Sequence, residues 1–253
     1  MLIPRVIPCL LLRNNGLVKT IKFGDEKYLG DPMNIVKIFN DKEVDELVIL
    51  DITATVENKR PPFELIEKLA SEAFMPLGYG GGVRNIDDVK TILGLGIEKI
   101  IVNTRAIEDP TFIRAIANFA GNQSTVVSID VKKNLLGKYE VRLHRGKKST
   151  GLNPVEFAKI MEKQGAGELI LCSIDQDGRM KGYDIDIIKR ITSVIKIPVV
   201  ACGGAGTILD LNAAVHQGGA SAAGAGSMFV FQGPHRAVLI SYPSEAELKD
   251  MAR

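Results

Sequence analysis

Long apolar runs are missing from this chain. Nothing in its 253 residues approaches the ~18 consecutive apolar positions of a membrane-spanning helix. The opening MLIPRVIPC has no basic segment followed by an apolar stretch, so it does not read as a secretory signal. A dominant charge is missing too: a net charge of +2, from 32 basic and 30 acidic residues, leaves no footprint for nucleic acid or a membrane surface. Cysteine is scarce, at three residues, an odd number without zinc-type spacing. Cys9, Cys172 and Cys202 each fall inside an apolar run, which reads as buried, reduced thiols rather than a disulfide framework or metal site. These absences point to a cytoplasmic protein with no metal or other cofactor.

What is present is a regular alternation. Runs rich in strand formers at 5–11, 46–52, 75–79, 99–103, 125–131, 168–174, 197–202 and 221–224 alternate with amphipathic stretches such as PPFELIEKLASEAF, IDDVKTILGLG and PVEFAKIMEKQG. Asp31-Pro32, Asp109-Pro110 and Asn153-Pro154 each place an N-cap before a proline, and Glu156 is positioned for a capping box. Strands apolar on both faces and joined by helical crossovers predict a covered parallel sheet. Eight such units in a chain of this length predict one (β/α)8 barrel over residues 1–253, with a doubly wound open sheet as the alternative. The chain also resembles itself: LVILDITATVENK lines up with LILCSIDQDGRMK, and the same offset carries Gly81-Gly82 onto Gly203-Gly204. Two half-barrels, about residues 1–122 and 123–253, follow. A slightly shorter offset puts PCLLLR on VSIDVK, so Leu11 is the internal counterpart of Asp130.

Barrel chemistry gathers at the C-terminal ends of the strands. There, Gly81-Gly82 and Gly203-Gly204 allow backbone N–H groups to approach an anion closely. Asn103-Thr104 and Gly226-Ser227, ending the fourth and eighth strands, complement them. Two equivalent clusters suit an elongated ligand phosphorylated at both ends. Asp130 is the candidate general acid or base. Asp51, Asp177 and Gly178 are candidates for substrate contacts, although a strand-end Asp also fits a loop or helix cap. Lys19 either reaches a phosphate or is simply exposed, and the basic cluster RGKKS at 145–149 reads as a solvated or substrate-facing loop. At the opposite ends, Arg5, Glu46, Lys99 and Glu168 open four strands with alternating signs. They are either solvated strand starts or a closed charged ring.

Taken together, DELVILDITA, GYGGGV, IVNTRAIEDP, VVSIDVKK, GAGELILCSIDQDG and VVACGGAG resemble the cyclase subunit family of imidazole glycerol phosphate synthase, over residues 1 to about 232. The resemblance implies a barrel bound at its N-terminal face to a glutaminase subunit. Ammonia would pass a gate of Arg5, Glu46, Lys99 and Glu168 and climb the barrel to a bisphosphorylated ribonucleotide. It also implies two catalytic aspartates. Asp130 matches one, and Leu11 stands where the other belongs, so direct proton transfer at that position is lost. The glutaminase must be a separate protein, because no cysteine here forms a recognisable nucleophilic pair with His144, His216 or His235.

The leucine-rich first strand and the tail GPHRAVLISYPS, which reads as an interface strand in place of a final helix, resemble a side branch of that family. Its members work with a glutaminase-like partner and a third, amide-transferring enzyme in surface-polysaccharide biosynthesis. The sequence expectation is therefore an ammonia-delivering, cyclase-like barrel for amidation of a nucleotide sugar or polysaccharide. The alternative is the ammonia-dependent lyase/cyclase of histidine biosynthesis, and a third is a non-catalytic binding barrel.

Overall fold

A computed structural model describes residues 4–250. Eight strands form the barrel: β1 (Arg5–Arg13), β2 (Leu47–Asp51), β3 (Leu77–Gly80), β4 (Lys99–Val102), β5 (Thr125–Lys133), β6 (Glu168–Ser173), β7 (Val199–Cys202) and β8 (Ala222–Ala225). All pair in parallel in chain order, β8 pairs with β1, and the ring is closed. The crossovers carry helices α1 (Pro32–Asp41), α2 (Phe63–Glu72), α3 (Ile86–Gly94), α4 (Thr111–Ala120), α5 (Pro154–Lys163), α6 (Ile185–Thr192) and α7 (Ile208–His216). This is a (β/α)8 barrel, not an open sheet.

The strands read as apolar on both faces because both are covered. Ile7, Val48, Ile101, Val126, Ile170 and Val200 fill the lumen. Val6, Leu10 and Leu12 of β1 join the outer layer with helix residues such as Val36, Phe39 and Ile66. Each such fully buried side chain contributes about 1.5–3 kcal/mol. The helix starts behave as local chemistry dictates. Asp31 accepts from Asn34 N ahead of Pro32, and Asn153 accepts from Val155 N and Glu156 N. Glu156 does not reach back to complete a capping box; its carboxylate pairs with Lys159 instead, at 2.9 Å. Asp109 takes the Thr111 N–H and hydroxyl, and α4 begins one residue later than its proline suggested.

Two hairpins were not legible as strands. After β1 the chain turns through Asn14 and Asn15, both at positive φ, and returns as Gly16–Ile21, with Arg13 opposite Gly16. Asparagine tolerates the left-handed conformation that a two-residue hairpin turn demands. A further strand, Gly24–Gly30, pairs onto this one. The equivalent device follows β5: Tyr139–Leu143 runs antiparallel to it and pairs with Lys148–Ser149.

After β8 come a four-residue helix, Ser227–Val230, an extended segment, and a short helix, Glu245–Asp250. The tail is not a free interface strand. Phe231–Gln232 pairs with Ala237–Val238, and Leu239 N and Ser241 N donate to Val230 O and Phe229 O. Tyr242 stacks against Phe229, with ring centroids 5.4 Å apart, and its hydroxyl donates to Val6 O at 2.8 Å. Ile240 and Tyr242 of the extended segment and Leu248 of the short final helix thus pack against the core. Tyr242→Phe, which removes only that hydroxyl, should lower unfolding free energy in urea by about 1 kcal/mol.

Candidate functional site

Side chains alternate along a strand, so one parity of each barrel strand faces the lumen. In β1 that row is Arg5, Ile7, Cys9 and Leu11, running from one mouth of the barrel to the other. At the N-terminal mouth, Arg5 binds both Glu46, at 2.5 Å, and Glu168. Lys99 completes the ring, 2.8 Å from Glu46 and 2.7 Å from Glu168. The four charges therefore form a closed square in which each acid holds both bases. Glu46 and Glu168 are only 3% and 5% exposed. Burial, the largest influence on Arg5, favours its neutral form, yet the carboxylates of Glu168 and Glu46 together carry it above its ordinary value.

The C-terminal mouth opens into a cavity of about 470 Å³, and all thirteen residues singled out for catalysis or ligand contact line it. Gly81-Gly82 and Thr104 stand on one side, beside β3 and β4. Gly203-Gly204, Gly226 and Ser227 stand on the other, beside β7 and β8, four strands away around the ring. Glycine is required at these turns. Gly81 has φ +124°, and a Cβ there would lie 2.4 Å from Asp51 O. Gly203 and Gly204 are also at positive φ, and a Cβ on Gly204 would lie 2.2 Å from Gly182 O. A glycine turn after the seventh strand with a short helix after the eighth is a recurrent phosphate-binding arrangement of such barrels.

Lys19 belongs to the first hairpin, which carries it back over the mouth. It is 7% exposed, and its ammonium donates to Cys9 O and lies directly above Gly226, where a Cβ would meet Nζ. A buried ammonium with one carbonyl acceptor retains two N–H donors, which suits an anion. The alternative of an exposed lysine is overturned.

The three acids divide. Asp51 Oδ1 takes Thr53 N, Thr53 Oγ1 and Ala54 N at 2.8–2.9 Å, so its carboxylate shapes the turn after β2 while lining the pocket. Asp177 Oδ2 accepts from Thr20 Oγ1 at 2.8 Å and from Phe23 N at 3.3 Å. It fastens the first hairpin to the loop after β6, and burial raises its pKa. Asp130 has a single side-chain partner, Asn103 Nδ2 at 3.0 Å. Burial, reinforced by the neighbouring Cys202 sulfur, pushes its carboxyl up to about 7 against that hydrogen bond. A group poised there exchanges protons near neutrality. Leu11 lines the same cavity and offers none.

Four polar residues of the cavity wall escaped the sequence reading: Arg84, Arg105, Glu108 and His144. Arg145, from the RGKKS cluster, lines the cavity as well, so that loop faces the ligand space. It ion-pairs with Glu26 and so joins the turn of the second hairpin to the first. A carboxylate pattern or glycine motif cannot reveal His144, because only the antiparallel return of Tyr139–Leu143 along β5 brings it back to the mouth. Arg84 and Arg105, by contrast, lie just after the Gly81-Gly82 and Asn103-Thr104 signals that could have found them. Among the described residues, no group of three or more His, Cys, Asp or Glu is placed to hold a metal ion, and no helix is long and apolar enough to cross a membrane.

Residues 5–235 match the family model described as histidine biosynthesis protein. A Leptospira borgpetersenii protein provisionally named imidazole glycerol phosphate synthase subunit HisF is 52% identical, over 96% of each chain. A Pseudomonas aeruginosa protein provisionally named subunit hisF2 of the same synthase is 49% identical, over 96% of this chain and 97% of its own. An Alkaliphilus metalliredigens imidazole glycerol phosphate synthase subunit HisF is 41% identical, over 90% of this chain and 91% of its own.

The elevated Asp130 carboxyl sets a pH signature. An unfolded aspartate ionises near ~3.9, so between about pH 4 and 7 the folded chain binds the extra proton and stability falls as pH rises. About one unit above pH 7 the loss is nearly complete. Asp130→Asn removes it and should be the more stable form at pH 8 by about 2 kcal/mol, allowing for the solvent that still reaches the carboxyl. The advantage should vanish near pH 4, as urea denaturation at the two pH values will check.

Proposed function

The chain belongs to the histidine biosynthesis protein family, among the HisF-type cyclase subunits of imidazole glycerol phosphate synthase, and from that membership we propose that it is an ammonia-using barrel subunit. A separate glutaminase docks on the face that holds Arg5, Glu46, Lys99 and Glu168 and supplies ammonia there. The carrying observation is that one barrel joins a closed charged square to an anion cradle through an apolar lumen. The square excludes bulk water until its ion pairs part. The aliphatic layer directly beyond it, from Ile7 to Val200, offers ammonia no proton, so it enters the barrel neutral and nucleophilic.

At the far mouth, Lys19 and the glycine turns hold the phosphoryl groups of an elongated ligand across the ring. Asp130 stands between them and moves the proton as the new C–N bond forms. The reaction named for the relatives, that of imidazole glycerol phosphate synthase, is the first reading for this site. In it the barrel converts a bisphosphorylated ribonucleotide and ammonia to imidazole glycerol phosphate and releases the remaining half as an aminoimidazole carboxamide ribonucleotide.

One observation favours a second reading. Leu11 leaves the first strand without a carboxylate, so proton transfer from that side has no donor or acceptor at this position. A barrel that only delivers ammonia does not need one. The acceptor would then be a third, amide-transferring enzyme acting on a nucleotide sugar or surface polysaccharide.

Ammonium salts and the bisphosphorylated ribonucleotide, given to the wild type and Leu11→Asp side by side, test both readings. Loss of one general acid or base costs roughly 10²–10⁴-fold. Leu11→Asp should therefore exceed the wild type by that order in imidazole glycerol phosphate formed, and Asp130→Asn should abolish turnover. Fast wild-type turnover, unimproved by the substitution, would retire the second reading. No turnover from either form would retire the first.

A further inference from the structure

Three thiols converge in the lumen just below the ligand cavity, and nothing in the proposed chemistry uses them. Cys9, Cys172 and Cys202 all line the cavity floor. Cys172 and Cys202 are direct register partners on the adjacent parallel strands β6 and β7. Both share the lumen-facing parity of Ile170 and Val200. Neighbouring strands lie about 4.8 Å apart, inside the Cα separation of roughly 4.4–6.8 Å that a disulfide spans.

Cys9 is placed differently. It lies two strands from β7, with β8 between, at about twice that spacing and beyond the bridging range. Its sulfur occupies the space left by Gly224, where a Cβ would lie 3.0 Å away. The residues also differ in exposure. Cys9 and Cys172 are 4% and 7% exposed, whereas Cys202 is half-buried.

We propose that Cys202 and Cys172 form a hydroperoxide-oxidisable dithiol, with Cys202 as the attacking sulfur and Cys172 as the resolving one. The Cys202 thiolate attacks one oxygen of the peroxide; the O–O bond breaks and hydroxide leaves, taking a proton to become water. Cys202 is left as a sulfenic acid. The Cys172 sulfur then displaces hydroxide from it, and the departing hydroxide takes the Cys172 proton. Two thiols have lost two hydrogens, and the peroxide has been reduced to two molecules of water, or to water and an alcohol if alkylated.

The surroundings favour this order. Contact with Cys172 and Cys9, together with the Lys19 ammonium, holds the Cys202 thiol well below its ordinary value, whereas contact with Cys202 and burial push the other two well above theirs. A thiolate is the reacting form. The bridge has a local consequence, because Gly203 follows Cys202 directly and a Cβ on it would lie 3.4 Å from Cys172 Sγ. Oxidation would pin β6 to β7 immediately beneath the Gly203-Gly204 turn. The proposal does not depend on the reaction assigned to the cavity.

Hydrogen peroxide acting on the purified full-length chain, followed by non-reducing digestion and peptide mass mapping, tests it. The expected product is one intramolecular linkage joining the Cys172 and Cys202 peptides, two hydrogens lighter than the free pair and reversed by dithiothreitol. In Cys172→Ser, Cys202 should still react but stop as a sulfenic acid that a cyclic 1,3-dione traps. In Cys9→Ser the linkage should persist. Failure of a serine variant to fold leaves the wild-type map decisive. All three thiols surviving, Cys9 reacting first, or a bridge between two chains would each overturn the proposal.

Discussion

The alternation of side chains along eight parallel strands, forced into register by ring closure, is the constraint from which the rest of the molecule follows. Once β8 pairs with β1, every second residue must occupy a lumen too narrow for water-filled space. Those positions are aliphatic and then thiol-bearing through the middle, charged at one mouth and polar at the other. Arg5 and Leu11 are therefore not independent features. They are the two ends of one inward row, and a single-residue slip of β1 would turn both outward.

The charged square illustrates how such a row is held. A buried ion pair recovers through contact what it loses in hydration, and on balance contributes little to stability. Here each acid holds two bases, so no carboxylate is left unpaired while the square is closed. Removing one member would strand the others in low dielectric. The arrangement is thus stable as a set and weak in any one bond, which suits a barrier that must part and reform. The opposite mouth follows another logic: Lys19 is sequestered with spare donors, and the glycine turns present backbone rather than side chains.

The barrel itself was legible because all eight strands are apolar on both faces and separated by explicit helix starts. The ligand cavity was legible because its residues sit at strand ends, where sequence position translates directly into spatial position. The hairpins were not, because their strands are short and partly polar, and their register depends on β1 and β5 rather than on their own periodicity. His144 is missed for the same reason, and Arg145 is seen only as part of a basic cluster left between solvent and substrate. The charged square needed partner identity across long sequence separations, and strand-start residues alone left it balanced against plain solvation. Asp51 shows the opposite lesson: a residue chosen for chemistry also holds a turn, and both readings of a strand-end aspartate apply to it.

The tail that follows the last strand has a kinetic meaning. Tyr242 and Val6 are separated by 236 residues, so their hydrogen bond links the two extremes of the barrel's construction. Contacts of such sequence separation carry a large closure entropy and form late. During synthesis β1 emerges first, yet the strand that flanks it on one side and the tyrosine that pins it arrive last. The half-made barrel must therefore wait with an open edge on β1, and that edge is where an interrupted or truncated chain is most exposed to mispairing.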